Sequence, residues 1–342
     1  MLKRFLGHQG LAVSAIGLGC MGMSQDYGPA DDDQSIATIR RAIELGVTLI
    51  DTSMSYGAGH NEELVGRAIA GRRDDVVLAT KFGIVRDRRC DPPGLNARPE
   101  NIRGYCEASL TRLGVDHIDL YYLHRVDPGV PVEDSVGAMA ELVAEGKVGH
   151  LGLSELSVAE IRRAASVHPI TAVQYEWSLW WREVEDDVVP AARELGVGLV
   201  AFSPLGRGFM TGKLSVDTLS ADDDRLPDQR FHGEHRKRNE ELLGELVRLA
   251  TARGLTPGQL ALAWLLAQGD DVVAIPGTRH PGRMAENAKA ASPVLSAEDL
   301  AEVEQAVPRT AWSGDRFSYA VPRTSRSAGV TRSVPAESGV AR

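Results

Sequence analysis

Four side chains able to move a proton follow short apolar runs. Asp51 ends the run Val47–Asp51, Tyr56 comes five residues later, Lys81 follows Val76–Thr80, and His124 closes Ile118–His124. A phenol has an ordinary pKa of about 10, too high for efficient proton exchange at neutral pH. A neighbouring ammonium stabilises the phenolate and lowers that value, and a carboxylate beside the lysine keeps it charged and positioned. A histidine can hydrogen-bond a carbonyl oxygen and orient the substrate against the tyrosine. Such a set suits protonation of the oxyanion formed when hydride adds to a carbonyl. The hydride must come from a cofactor, because no side chain can supply one.

Two later segments are candidates for holding a phosphate-bearing cofactor. They read Ser203-Pro204-Leu205-Gly206-Arg207-Gly208 and Ile275-Pro276-Gly277-Thr278-Arg279. Small residues let backbone N–H groups approach phosphate oxygens, and Arg207, Arg279 and Arg283 add positive charge. Each glycine segment taken alone is a weak signal, since ordinary turns explain such loops more often than not.

Positioning these groups requires a scaffold, and the apolar pattern supplies one. Eight short runs alternate with helical stretches: Ala15–Leu18, Val47–Asp51, Val76–Thr80, Ile118–His124, Val148–Ser154, Thr171–Gln174, Gly198–Ser203 and Val272–Ile275. Several are apolar throughout, as expected for parallel strands buried on both faces. Between them, Ile36, Ile39 and Ile43 share a helix face, as do Ile102, Cys106, Ser109 and Leu113. Gly46, Gly114, Gly146 and Gly196 stand where helices should end. Eight βα units without a linker predict a closed (β/α)8 TIM barrel. No Gly-x-Gly-x-x-Gly opens the first helix, which argues against a doubly wound open sheet.

The pattern therefore predicts a single α/β barrel domain over 1–308, preceded by an N-terminal β-hairpin and carrying extra helices. The interval from Ser203 to Val272 should hold a charged loop over Asp222–Arg238, an added helix near Glu240–Arg253 and another from Pro257. Residues 309–342 are rich in Ser, Arg, Pro and Gly and should be partly disordered, from about 322 onward. In a barrel, functional residues sit at the C-terminal strand ends. Asp51, Lys81, His124, Ser154, Gln174 and Ser203 fall there in succession.

The 342 residues are 43% hydrophobic and 25% charged, with a formal charge of −9, which argues against a nucleic-acid partner. Cys20, Cys90 and Cys106 lack metal-ligand spacing, so no metal is expected, and reduced thiols point to a cytoplasmic protein. No run of 18 apolar residues could cross a membrane. Oligomeric state leaves no mark in the sequence.

Over residues 3–307 the chain resembles the aldo-keto reductases, in their bacterial reductase branch. The matching stretches are Asp-Thr-Ser-Met-Ser-Tyr-Gly at 51–57, Ala-Thr-Lys-Phe-Gly at 79–83 and Ser-Leu-Thr-Arg-Leu-Gly-Val-Asp-His-Ile-Asp-Leu-Tyr-Tyr-Leu-His at 109–124. Further matches are Glu-Gly-Lys-Val-Gly-His-Leu-Gly-Leu-Ser at 145–154, Val-Gln-Tyr-Glu at 173–176, Ser-Pro-Leu-Gly at 203–206 and Arg-Met-Ala-Glu-Asn at 283–287.

The resemblance implies a catalytic tetrad of Asp51, Tyr56, Lys81 and His124, with reversible NADPH-dependent reduction of an aldehyde or ketone. Ser154 and Gln174 would hold the nicotinamide carboxamide, with Phe202 stacked on the ring where tyrosine is usual. Ser203, Pro204, Leu205, Gly206 and Gly208 would line the pyrophosphate, and Gly19, Cys20, Met21 and Ile275 would lie against the nucleotide. Arg283 would meet the 2′-phosphate, with Glu286 and Asn287 at the adenine. The chain departs from the family at Glu155, where asparagine is common, and at Gly277-Thr278, where Lys-Ser is common. Arg279 would restore the missing charge.

Met21 and Met54 are expected near the pocket. Trp177, Trp180 and Trp181 would either wall it or pack a loop against the rim, and Tyr121, Tyr122 and Trp264 read as core. The run Asp222–Asp224 reads as a solvated loop. A competing function is a cofactor-binding regulatory subunit like the potassium-channel β subunits; the complete tetrad and lack of a long N-terminal extension favour the enzyme. An alcohol or sugar dehydrogenase would use the same residues in reverse, and nothing in the sequence marks the substrate.

Overall fold

The computed structural model describes residues 1–86, 94–220 and 223–316. A β-hairpin, β1 (Lys3–Leu6) and β2 (Leu11–Ser14), precedes the barrel, as predicted. Eight parallel strands follow: β3 (Leu18–Gly19), β4 (Leu49–Asp51), β5 (Val77–Phe82), β8 (Ile118–Leu123), β9 (Val148–Ser154), β10 (Ala172–Glu176), β11 (Gly198–Phe202) and β12 (Val272–Ala274). A short antiparallel pair, β6 (Ile84–Val85) and β7 (Gly94–Leu95), branches from the end of β5. Every residue of β4, β10 and β12 is buried, which is why these runs do not alternate.

Closure occurs between the first and last strands. Parallel bridges join Ile16 to Ala274 and Gly19 to Gly277, and the Gly17 amide donates to the Ala274 carbonyl at 2.8 Å. The seam demands small residues. A Cβ on Gly17 would lie 2.9 Å from the Leu49 carbonyl oxygen, and one on Gly19 would lie 2.9 Å from that of Ile275. This crowding leaves only Leu18–Gly19 in the β3 ladder, short of the predicted Ala15–Leu18 run, with Ile16 as an isolated bridge.

Eight helices ring the barrel: α1 (Asp32–Glu44), α2 (His60–Ile69), α3 (Pro99–Leu113), α4 (Val132–Ala144), α5 (Val158–Val167), α6 (Val188–Glu194), α8 (Pro257–Leu266) and α9 (Pro281–Lys289). The predicted face of α3 is buried at Ile102, Cys106, Ser109 and Leu113. Asp31 caps α1, and capping boxes start α5 and α8, so their free amides are satisfied locally. Gly46, Gly114, Gly146 and Gly196 all have positive φ at helix ends.

Two helices are extra, α7 (Gly233–Ala252) and α10 (Ala297–Ala306). The predicted charged loop is helical from Gly233 onward, where its charges pair one turn apart, Lys237 with Glu234 and Arg236 with Glu240. α8 is apolar on every side because α7, α9 and β12 all pack on it. Asp223 is buried against Arg225 rather than solvated; Asp224 is exposed, and Asp222 lies outside the described residues.

The tryptophans pack the rim. Trp180 stacks on Phe209 at 4.4 Å between ring centres and also meets Phe231 and Trp312. Tyr121, Tyr122 and Trp264 are core residues, as expected. After α10, Trp312, Asp315 and Arg316 are buried on the barrel; the stretch from 322 expected to be disordered lies outside the described residues. Among the described residues no helix is long and apolar enough to cross a membrane, and no three His, Cys, Asp or Glu side chains are placed to hold a metal.

Candidate active site

Parallel strands with short stagger bring their C-terminal residues to one mouth. Asp51 ends β4, Lys81 lies one residue before the end of β5, His124 follows β8, Ser154 ends β9 and Phe202 ends β11. Tyr56 stands on a tight turn beyond β4, where Gly57 and Ala58 both adopt left-handed conformations. The turn is held from outside: Gln25 Oε1 accepts from the Gly57 amide at 2.9 Å.

Lys81 is wholly buried. Its ammonium donates to Asp51 Oδ1, to the Thr52 carbonyl at 2.9 Å and to the Tyr56 hydroxyl at 3.3 Å. The second oxygen of Asp51 accepts from Gln174 Nε2 at 2.8 Å. The His124 ring meets the Tyr56 ring edge-on with 5.8 Å between centroids. Its Nδ1 lies 3.2 Å from Ser53 Oγ, and Arg125 donates to the His124 carbonyl at 2.6 Å and to Ser154 Oγ at 3.0 Å. The four predicted residues therefore converge.

Burial governs their protonation. It raises the Tyr56 pKa above the ordinary value, and the opposing pull of Lys81 offsets only part of that. The sequence-based expectation had the lysine lowering it; the direction of the lysine effect is right, but desolvation is larger. Burial also works against the Lys81 ammonium, yet Asp51 and Tyr56 outweigh it and hold Lys81 above the usual lysine value. Burial, then Arg125 and Lys81, pushes His124 well below the usual imidazole range, so it is neutral at pH 7.

These groups open on a cavity of about 470 Å3. Asp51, Tyr56, His124, Ser154, Gln174 and Phe202 line it, with Gly19 and Met21. The loop after β11 contributes Ser203, Pro204, Leu205, Arg207 and Gly208, and the loop after β12 contributes Ile275, Gly277, Thr278 and Arg279. Arg283, Glu286 and Asn287 of α9 complete the wall. Arg283 is exposed and makes no hydrogen bond or ion pair among the described residues.

Three residues expected at the cavity do not line it, and a fourth lines it with its guanidinium already engaged. Cys20 is fully buried and faces the core, because its backbone is pinned to Asp51 and its thiol turns to the Leu18 carbonyl. Gly206 lies against the Trp180 ring instead of the cavity, where a Cβ would approach within 2.5 Å. Met54 packs on the core. Arg279 lines the cavity but spends its guanidinium on three carbonyls, those of Gly22, Tyr27 and Gly28, at 2.7 to 3.4 Å.

Several wall residues escaped sequence reasoning, notably Gln25, Asp26, Tyr27, Arg86 and Arg225. Arg225 lies over the Tyr27 ring at 4.9 Å, so the loop after β3 and the insertion before α7 meet at the cavity. Both segments lack periodicity or motif. The left-handed φ of Asp26 is the local peculiarity that marks the first.

Comparison with known proteins agrees with this geometry. The Aldo/keto reductase family profile matches residues 15–308. A probable aldo-keto reductase 1 from Glycine max is 46% identical over 314 residues, covering 91% of this chain and 90% of its own. The structure of the glycerol dehydrogenase AKR11B4 from Gluconobacter oxydans superposes with a TM-score of 0.84 at 30% identity, over 93% of this chain and 98% of that one. An aldo/keto reductase from Klebsiella pneumoniae, solved with NADP and acetate, gives 0.70 at 29% identity over 95% and 100%. By sequence and by architecture, this chain belongs to the aldo/keto reductase family.

Proposed function

We propose that this protein reduces an aldehyde or ketone to an alcohol with NADPH, Tyr56 serving as the acid. The observation that carries the reading is the 3.3 Å contact of the Tyr56 hydroxyl, on the cavity wall beside His124, with a buried Lys81 paired to Asp51.

The cavity fits the nucleotide by its own features. Ser154 and Gln174 offer polar side chains to the carboxamide, Phe202 offers a flat face to the ring, and the uncommitted Arg283 offers charge for the 2′-phosphate. NADPH, when bound, supplies the hydride that adds to the carbonyl carbon. As the C=O π electrons move onto oxygen, Tyr56 gives that oxygen its proton, and Lys81 stabilises the phenolate left behind. The 3.2 Å contact of His124 Nδ1 with Ser53 Oγ is compatible with either tautomer of the neutral ring, and the one that carries its proton on Nε2 hydrogen-bonds the same oxygen. Asp51 keeps Lys81 charged and Gln174 placed.

The same residues run the reaction in reverse, so its direction follows the ratio of reduced to oxidised nucleotide. The reading places the protein in the cytoplasm, which suits the buried free thiols of Cys20 and Cys106.

Replacing Tyr56 with Phe removes the acid and keeps the ring. Turnover of a panel of aldehydes, followed by loss of NADPH absorbance, should fall by roughly 10²–10⁴-fold. NADPH affinity, followed by fluorescence, should stay nearly constant. A variant that retains turnover overturns the assignment.

A further inference from the structure

Behind the wall that carries Ser154 and Gln174 lies a group of buried charges that the chemistry above does not use. Glu155 follows Ser154 directly, and Glu176 stands two residues beyond Gln174; both carboxylates are buried. Arg316, from the segment after α10, grips the two together. Its guanidinium donates twice to Glu155, once at 2.9 Å from Nη1 and once from Nη2, and reaches Glu176 Oε2 at 3.4 Å. On the far side Arg230 holds the other oxygen of Glu176 at 2.7 Å and pairs with Asp228. The two arginines lie over tryptophan rings, Arg316 on Trp181 at 5.3 Å and Arg230 on Trp180 at 4.9 Å.

Burying that many charges is a poor way to gain stability, since apolar residues of similar volume do as well or better. Strain is concentrated at the same point. Glu155 has φ +62, a left-handed conformation that a side chain disfavours. It is held there by its amide, which donates to the Gln174 carbonyl at 3.2 Å, and by its carboxylate, which accepts from the Glu176 amide at 3.0 Å. The C-terminal ends of β9 and β10 are thus stitched through Glu155, and Arg316 closes the stitch.

We infer that Arg316 is a positioning residue for the nicotinamide end of the site. It clamps the ends of β9 and β10 so that Ser154 and Gln174 keep their places, and it neutralises Glu155 so that no uncompensated negative charge stands behind the ring. The inference rests on the nucleotide-dependent reading given above. Its physical content is a preference between redox forms. Oxidised nicotinamide carries a positive charge and reduced nicotinamide does not, so an unpaired carboxylate nearby tightens binding of the oxidised form alone. Paired with Arg316, and with the buried Arg125 also attracting it, Glu155 exerts little of that bias.

The test is binding of NADPH and NADP+ to the full chain, each titrated by quenching of intrinsic fluorescence. In Arg316→Met the ratio Kd(NADPH)/Kd(NADP+) should rise by about tenfold, the size of a unit charge acting across part of a protein interior. Arg316→Lys should restore most of the wild-type ratio. Glu155→Gln, nearly isosteric and able to fold even if Arg316→Met cannot, should move the ratio the other way, because Arg316 is then partly uncompensated. The double variant should return toward wild type. Equal weakening of both nucleotides, or a ratio unmoved in Glu155→Gln, overturns the inference and leaves Arg316 a structural residue. Failure of the wild type to bind either nucleotide would instead sink the cofactor reading, and this inference with it.

Discussion

The Lys81 ammonium, closed off from solvent, sits 3.3 Å from the Tyr56 hydroxyl and shares its charge with Asp51. That relationship sets a pH profile with a definite sign. Burial raises the Tyr56 pKa beyond what Lys81 takes back, so the phenol keeps its proton past the ordinary tyrosine value of about 10. Carbonyl reduction uses the protonated phenol and should hold a constant kcat from pH 6 to about 9. Alcohol oxidation uses the phenolate, so its rate should still be climbing at pH 10 or so. Initial rates in both directions check this. A reduction rate that halves near pH 7 would assign the acid elsewhere.

His124 gives a second pH effect, this time on stability. Its folded-state pKa lies well below the usual imidazole value because of burial and then Arg125 and Lys81. Below about pH 6.5 the unfolded chain therefore binds a proton that the folded chain refuses, and stability falls by about 1.4 kcal/mol per pH unit from this group. Asp26 works in the opposite direction: burial and Asp224 raise its pKa to about 6, so the folded state gains its proton first as pH falls. Comparing urea melts of wild type and His124→Gln between pH 6.5 and 5 isolates the histidine contribution. The variant should lose less stability over that interval than wild type does. Parallel curves would show that the imidazole is reached by solvent.

The two arginines of the cavity wall proposed for the 2′-phosphate should behave differently. Arg283 is uncommitted, so Arg283→Ala should weaken NADPH at least tenfold while changing NADH little, as expected for loss of one charge-assisted contact. Arg279 instead ties together the backbone of 22–28, and Arg279→Ala should weaken both nucleotides alike by loosening that loop. Dissociation constants for NADPH and NADH with each variant decide it. A selective loss in Arg279→Ala would return the phosphate role to that residue.

The barrel and its reactive rim were legible because they depend on local chemistry. Buried parallel strands need apolar runs, their crossovers need amphipathic helices, and a strand end such as Asp51 or Ser154 follows from where the run stops. What sequence did not show depends on packing between distant segments. Nothing local says that Cys20 turns inward, or that the carboxylate of Glu155 meets an arginine 161 positions later. Nor does anything local say that Arg279 also binds the carbonyls of Gly22, Tyr27 and Gly28. The pull of Lys81 on the Tyr56 pKa was legible, and the larger upward push of burial was not, for the same reason. A sequence reveals the neighbouring charge, but not how much water the fold removes.

The misplaced glycine allows a sharp contrast with its neighbour two residues on. Gly206 and Gly208 both have positive φ, at +56 and +94. At Gly206 a Cβ would come within 2.5 Å of the Trp180 ring, whereas at Gly208 its nearest neighbour is the end of the Arg225 side chain at 3.9 Å. Gly206→Ala therefore combines left-handed strain with overpacking and should destabilise by roughly 2–4 kcal/mol. Molecules that fold should still bind nucleotide, because that residue does not reach the cavity. Gly208→Ala carries the strain alone, about 1 kcal/mol, but places a methyl on the wall where phosphate is expected. It should melt close to wild type and bind NADPH poorly. Thermal melts followed by circular dichroism, together with nucleotide titrations, separate the two. If Gly206→Ala proves the weaker binder and Gly208→Ala the less stable, the face each glycine presents to Trp180 and to the cavity is wrongly assigned.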